Sequence, residues 1–269
     1  MIKTTIRHPS ISLIAKLGII LSTAFSSVSL ATAGEKTLIT ATQLKLNTFQ
    51  ISTRFHQLTL HEGDTAIQSK LEEDIEALRA NRSLLETQDA PESKEAIKET
   101  IAISEDYAHF ALSNEMASEG YTSQYAINDL HKTRLNLITT LNKIIEKELE
   151  VIGESSKYEL YKAATLMQKM TSQYVRRANS TGGAGVYVAN EENLETPDVM
   201  AQQFTELLST LMKTTKNDPN IGALIRNIDR KWRFIKPSFE KYNQNTVPYL
   251  VTKYCDTIVT KFAEAADKI

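Results

Sequence analysis

An all-α fold of two tandem four-helix bundles behind a cleaved signal peptide is what this 269-residue sequence predicts. Three observations carry that expectation. Apolar residues recur at spacings of three and four, with no convincing alternation of the kind a strand needs. Glycine and proline are scarce and sit at the breaks between those periodic runs. The runs fall into two groups of four on either side of Gly153, which suggests duplication.

The elements follow in order. Lys3, Arg7 and Lys16 precede an apolar run from Leu17 to Leu30, and Ala31-Thr32-Ala33 closes it with small residues of the type signal peptidase accepts, so residues 1–33 read as a secretory leader. No cysteine follows that run, which argues against a lipoprotein anchor, and no later segment has the roughly 20 consecutive apolar residues of a membrane span. The first stripe is Leu44, Ile51, Phe55 and Leu58, ended by Gly63, and the second runs from Ile67 through Leu71, Ile75 and Leu78 to Leu85. Pro91 opens a third through Ile97, Ile101, Ala108 and Leu112, which Gly120 closes. Ile127, Leu130, Leu137, Leu141, Ile145 and Ile152 make the fourth.

After Gly153 the plan repeats. Leu160, Ala163, Met167, Met170 and Tyr174 share a face until Gly182-Gly183-Ala184-Gly185. Thr196-Pro197 and Asp218-Pro219 are helix starts, because a short polar side chain can cap while proline at the first helical position gives up no hydrogen bond. They introduce Met200, Phe204, Leu207 and Leu211, then Leu224, Ile228, Trp232 and Ile235, with Pro237 expected to kink or end that helix. The last stripe runs from Pro248 through Val251, Cys255, Ile258 and Phe262 to Ala265. Stripes of this width need neighbours, and short connections favour antiparallel four-helix bundles, here residues 34–152 and 153–269 joined across Gly153. Sequence agreement between the halves is slight; aligning their first helices puts Ser52 against Ser172.

Composition narrows the function. Without residues 1–33 the chain has 28 basic and 33 acidic residues, a net charge of −5, with the basic residues dispersed, which is the wrong pattern for nucleic acid. Cys255 is the only cysteine, so an exported chain must hold itself together by packing, without an intrachain disulfide.

The most chemically distinctive stretch is Tyr161 to Ala178. Thr165, Lys169, Ser172 and Arg176 share one helix face, flanked by Gln168 and Gln173, and a lysine among hydroxyls and amides suits a small anion. The plain alternative is a solvated face opposite Met170 and Tyr174. Here Thr165-Leu166-Met167-Gln168-Lys169-Met170-Thr171-Ser172-Gln173-Tyr174 resembles the opening helix of the PilJ-type domain, the sensor module of type IV pilus methyl-accepting chemotaxis transducers, related to the periplasmic domain of nitrate/nitrite sensor kinases. Gln168, the basic Lys169, Met170, Ser172 and Gln173 keep that helix's register, and Trp232 resembles a tryptophan often present later in the domain. The resemblance covers residues 153–269, and residues 34–152 only by architecture. It implies a four-helix sensory bundle and a site at Lys169, the position of an arginine that holds the anion between two protomers in the nitrate sensors. Phe49 is the first-half match to Lys169, and Arg54, the nearest first-half cation, aligns with Tyr174.

Other chemistry reads weakly. Asp106 and His109 give one loose approximation to the Glu-x-x-His motif that di-iron bundles need on two helices. A single cysteine forbids a Cys-x-x-Cys-His haem site. Cys255 sits on an apolar stripe, as a buried thiol does, and the glycines at 182, 183 and 185 follow a helix, which suits a loop better than a phosphate cradle. The sequence therefore points to an exported, periplasmic or secreted, non-enzymatic sensory protein with no catalytic residue, metal or cofactor. Its candidate ligand-binding residues are Thr165, Gln168, Lys169, Ser172, Gln173 and Arg54. The expected partners are a small anionic ligand and an envelope or receptor protein, with a homodimer also compatible. The competing reading is a structural or adaptor bundle associated with pili or an envelope receptor.

Overall fold

The computed structural model describes residues 32–181, 195–244 and 246–269. All the regular structure among them is helical. The leader assignment, up to residue 31, and the glycine cluster at 182, 183 and 185 lie outside the described residues.

Helix α1 spans Ala33–Leu60, with Thr32 Oγ1 accepting from the Glu35 amide at 3.2 Å. Asp64 caps α2, Thr65–Glu86, through the Ala66 and Ile67 amides. Pro91 opens a 3₁₀ turn, Pro91–Ser93, that leads into α3, Lys94–Leu112. The third helix is shorter than the sequence suggests. Asn114 interrupts it: its Nδ2 donates to Phe55 O at 2.9 Å, and its Oδ1 accepts from the Met116 amide at 3.1 Å and the Thr122 hydroxyl at 3.0 Å. A separate short helix, α4, Met116–Glu119, follows, and Gly120 ends it at φ 76°. Gly63, at φ 79°, lies under that turn, where a Cβ would meet Ala117 Cα at 2.6 Å.

Helix α5, Gln124–Ile152, starts on a Ser123 cap and stops at Gly153, whose φ of 72° turns the chain before α6, Ser156–Thr181. The join between the halves is thus a break. Then come α7, Pro197–Thr214, α8, Pro219–Glu240, and α9, Pro248–Ala266. Asp218 caps α8 as its sequence suggests. Thr196 makes no side-chain cap to α7; its hydroxyl bonds the Asp198 carboxylate instead. Pro237 lies inside α8, which continues to Glu240.

Packing selects one of two adjacent apolar residues where the sequence leaves a choice. Leu208 and Ile225 enter the core while Leu207 and Leu224 stay half-buried, and Leu112 is exposed. Trp232 is buried against Phe204 and Phe239 and donates from Nε1 to Thr205 Oγ1 at 3.1 Å. Cys255 is a fully buried free thiol, and burial raises its pKa.

Helix α1 packs on α2, α5 and α6, and α6 packs on α1, α7 and α9. Following the packing, α1 leads to α2, α3, α5 and back to α1, while α6 leads to α7, α8, α9 and back to α6. The interface of α1 with α6 joins the two rings, and the residues from Thr32 onward form one compact unit. Hydrogen bonds along it rise together in number, Gln43 with Tyr161 and Ser52 with Ser172, and the Arg176 charge acts on His56 further along. The two helices therefore run parallel, and the aligned serines, Ser52 and Ser172, meet with their hydroxyls 3.0 Å apart.

Candidate functional site

The polar band of α6 is buried. Gln168, Thr171, Ser172, Gln173 and Asn179 face the interior, so the solvated-face reading does not hold. Central position explains this, since α1 and α6 each touch three long helices and have little surface left for water. Their threonines satisfy themselves locally. Thr42, Thr48, Thr53, Thr165 and Thr171 donate to carbonyls four residues back at 2.7–2.8 Å and leave methyl groups for packing. Gln168 Nε2 donates to Thr53 Oγ1 at 2.9 Å, while the side-chain carbonyls of Gln168 and Gln173 are buried without a protein partner. Such groups are costly to bury, so this seam favours a defined helix register over maximal stability.

Two cations on α1, Arg54 buried and Lys45 half-buried, lie in opposite circumstances. Arg54 donates to Asp74 of α2 at 3.2 Å, to Asp256 of α9 at 2.9 Å and to Gln57 Oε1 at 2.9 Å. Burial works against the guanidinium charge, but the two carboxylates raise its pKa, and burial pushes Asp74 up to about 6 against the pull of Arg54. This is an interhelical clamp. His56 is also buried; burial first, and then the Arg176 and Arg134 charges, hold its imidazole well below the ordinary histidine range and neutral.

Lys45 is different. Its ammonium donates to the neutral Asn142 Oδ1 at 2.6 Å and, among the described residues, has no salt bridge to a carboxylate. Burial, and then repulsion from Lys169, bring its pKa down to about 8 despite Glu146 on α5. Lys45 lines a cavity of about 240 Å³ between α1, α5, α6 and α7, whose walls include Phe49, Ile145, Leu166 and Leu207. At the rim, Lys169 donates to Glu195 Oε2 at 2.8 Å, and Gln203 Nε2 donates to Glu195 Oε1 at 2.8 Å. Lys162 also lines the cavity, but Glu154 and Glu159 hold its ammonium at 2.7 and 3.1 Å.

The six sequence-predicted site residues therefore separate. Thr165 and Lys169 line the cavity. Gln168 and Ser172 bond across to α1, Gln173 is buried beside them in sequence, and Arg54 belongs to the clamp. Sequence reasoning missed Lys45. The available signal was charge scarcity: from Thr37 to Thr53 it is the only charged residue, which is unusual for a helix expected to expose a face. Among the described residues, no group of three or more metal-ligating side chains comes together.

Comparison with known protein families, curated proteins and solved structures finds no significant match for this chain.

Proposed function

We propose that this chain is an exported sensory protein that binds a small anion in the Lys45–Lys169 cavity and signals through an envelope or receptor protein. Its described part is read as two PilJ-like four-helix bundles, 34–152 and 153–269, sharing the α1–α6 interface, with residues 1–33 as the leader. The observation that carries the reading is Lys45, a half-buried ammonium that lines the cavity together with Lys169 and, among the described residues, makes no salt bridge to a carboxylate. Unpaired buried charge is costly, and a perturbed group in a cleft marks a candidate site. A bound anion would compensate both lysines, and because the cavity draws residues from both rings, occupancy would bear on how α1 and α6 sit together. The polar seam, with its two unpartnered amide carbonyls, supports a register that a ligand can bias.

A ligand that binds the folded state raises the melting temperature. The test is a thermal-shift series on the full chain with nitrate, acetate and benzoate at low ionic strength. Stabilisation of wild type, reduced in Lys169→Ala, is the expected outcome. No stabilisation by any anion would move the weight to the adaptor reading, which has an observation of its own. Phe234 is 57% exposed and stacks on Tyr254 with ring centroids 4.9 Å apart, leaving an aromatic surface between α8 and α9 suited to a protein contact.

A further inference from the structure

The anion reading leaves the ligand's body open, and the cavity walls constrain it. Of the three lysines in the lining, Lys162 and Lys169 are already paired with carboxylates, and Gln203 is bonded to Glu195. The hydroxyls of Thr42 and Thr165 are committed to Leu38 O and Tyr161 O, so these residues add little to hold a polar body. Phe49, Ile145, Leu166 and Leu207 form the apolar part of the wall, and Tyr158, Lys162, Glu195 and Gln203 complete the lining. A sugar or polyol would set some of its hydroxyls against that apolar wall and lose their hydrogen bonds to water there. A bare inorganic oxyanion would leave the apolar wall uncovered. A volume of about 240 Å³ lies below the usual range of drug-sized ligand cavities and suits a small body of roughly ten non-hydrogen atoms.

Resting on the anion reading above, we infer that this cavity takes a small monocarboxylate with an apolar body, its carboxylate on the Lys45 ammonium and its body against Phe49, Ile145, Leu166 and Leu207. The ammonium has three N–H donors and spends one on Asn142 Oδ1, so two remain for a carboxylate. The rim already displays the recognition chemistry, because Glu195 places one carboxylate oxygen on Lys169 and the other on Gln203. Glu195 is thereby an internal competitor: it neutralises one of the two ammoniums and repels an incoming anion. Removing its charge while keeping its shape frees Lys169 to add to the attraction.

The experiment is titration calorimetry of the full chain with benzoate, alongside acetate and nitrate, on wild type, Lys45→Met and Glu195→Gln. Benzoate is expected to bind at least about tenfold more tightly than acetate or nitrate, since burial of the ring adds to an otherwise shared charge contact. Lys45→Met should weaken benzoate about ten- to hundredfold, the cost of a charge-assisted contact. Glu195→Gln, an exposed change that leaves the core alone, should tighten it severalfold. If acetate and nitrate bind as well as benzoate and all three depend on Lys45, the apolar ligand class is wrong and the anion reading survives. If wild type and Glu195→Gln bind none of the three, both fail. Benzoate bound equally by wild type and Lys45→Met would remove this cavity as the site, and so would weaker binding to Glu195→Gln.

Discussion

Arg54 and Lys45 lie on the same helix, and each draws a positive charge away from bulk water, Arg54 buried and Lys45 half-buried. Arg54 meets two carboxylates from two other helices, whereas Lys45 meets a neutral amide and the field of another lysine. The difference teaches where structure ends and a site begins. A buried cation whose partners come from the chain holds helices in place. One whose partners are missing lowers stability until something else supplies them. The arginine marks a clamp between α1, α2 and α9, and the lysine marks a cavity.

The comparison breaks most readily at Arg54. Arg54→Gln strands Asp74 and Asp256 together, and since both retain some contact with water the loss should be about 2–3 kcal/mol, below the fully buried range. Urea unfolding measures it; the account also expects benzoate affinity to stay within about twofold, because Arg54 does not line the cavity.

Folding lowers the Lys45 pKa from 10.5 to about 8, so between those values the unfolded chain holds a proton that the folded chain has released. Stability from this residue therefore rises with pH across that window and is penalised below it, by an amount on the order of 2 kcal/mol. The groups facing it are Glu146 on α5, Lys162, Lys169 and Tyr158 on α6, and Glu195 ahead of α7. Cys255 acts oppositely, because a thiol kept protonated by burial costs stability once the unfolded thiol ionises. The difference between wild type and Lys45→Met isolates the lysine: it should shrink as pH rises from 7.5 to about 10, and a difference independent of pH would break the comparison.

At neutral pH, Lys45→Met should stabilise the ligand-free protein by about 1 kcal/mol, since it exchanges an uncompensated ammonium for an apolar chain of similar length. Lost binding together with gained stability distinguishes a site residue from a structural one, and denaturant midpoints read it. The smallest effect belongs to Lys169→Ala. Its pair with Glu195 is partly exposed, with side-chain exposures of 30% and 42%, so stability should change by no more than about 0.5 kcal/mol while anion binding weakens. A larger stability loss would place Lys169 in the framework beside Arg54.

The helices themselves were legible because their stripes, caps and prolines are local signals. Phe204, Trp232 and Phe262 could be read directly as core from period alone, and each is buried. The turn at Asn114 was not legible, because it depends on Phe55 O, a carbonyl remote in sequence. The site was half legible. Lys169 and Thr165 declared themselves by residue type, but the burial of Thr165, Gln168, Ser172 and Gln173 around the partly exposed Lys169 depends on α6 having α1 as a parallel neighbour, which helical period cannot report. Arg54 and Lys45 look alike in sequence, and only their distant partners, Asp74 and Asp256 for one and Asn142 for the other, tell them apart.

The most direct test of the central claim is an NMR titration of the Lys45 side chain in lysine-labelled full chain, assigned by comparison with Lys45→Met. Its ammonium is expected to titrate near pH 8 in the ligand-free protein and to move upward on saturation with benzoate, as an arriving carboxylate stabilises the charged form. An ordinary lysine titration near pH 10.5, unmoved by benzoate, would contradict it.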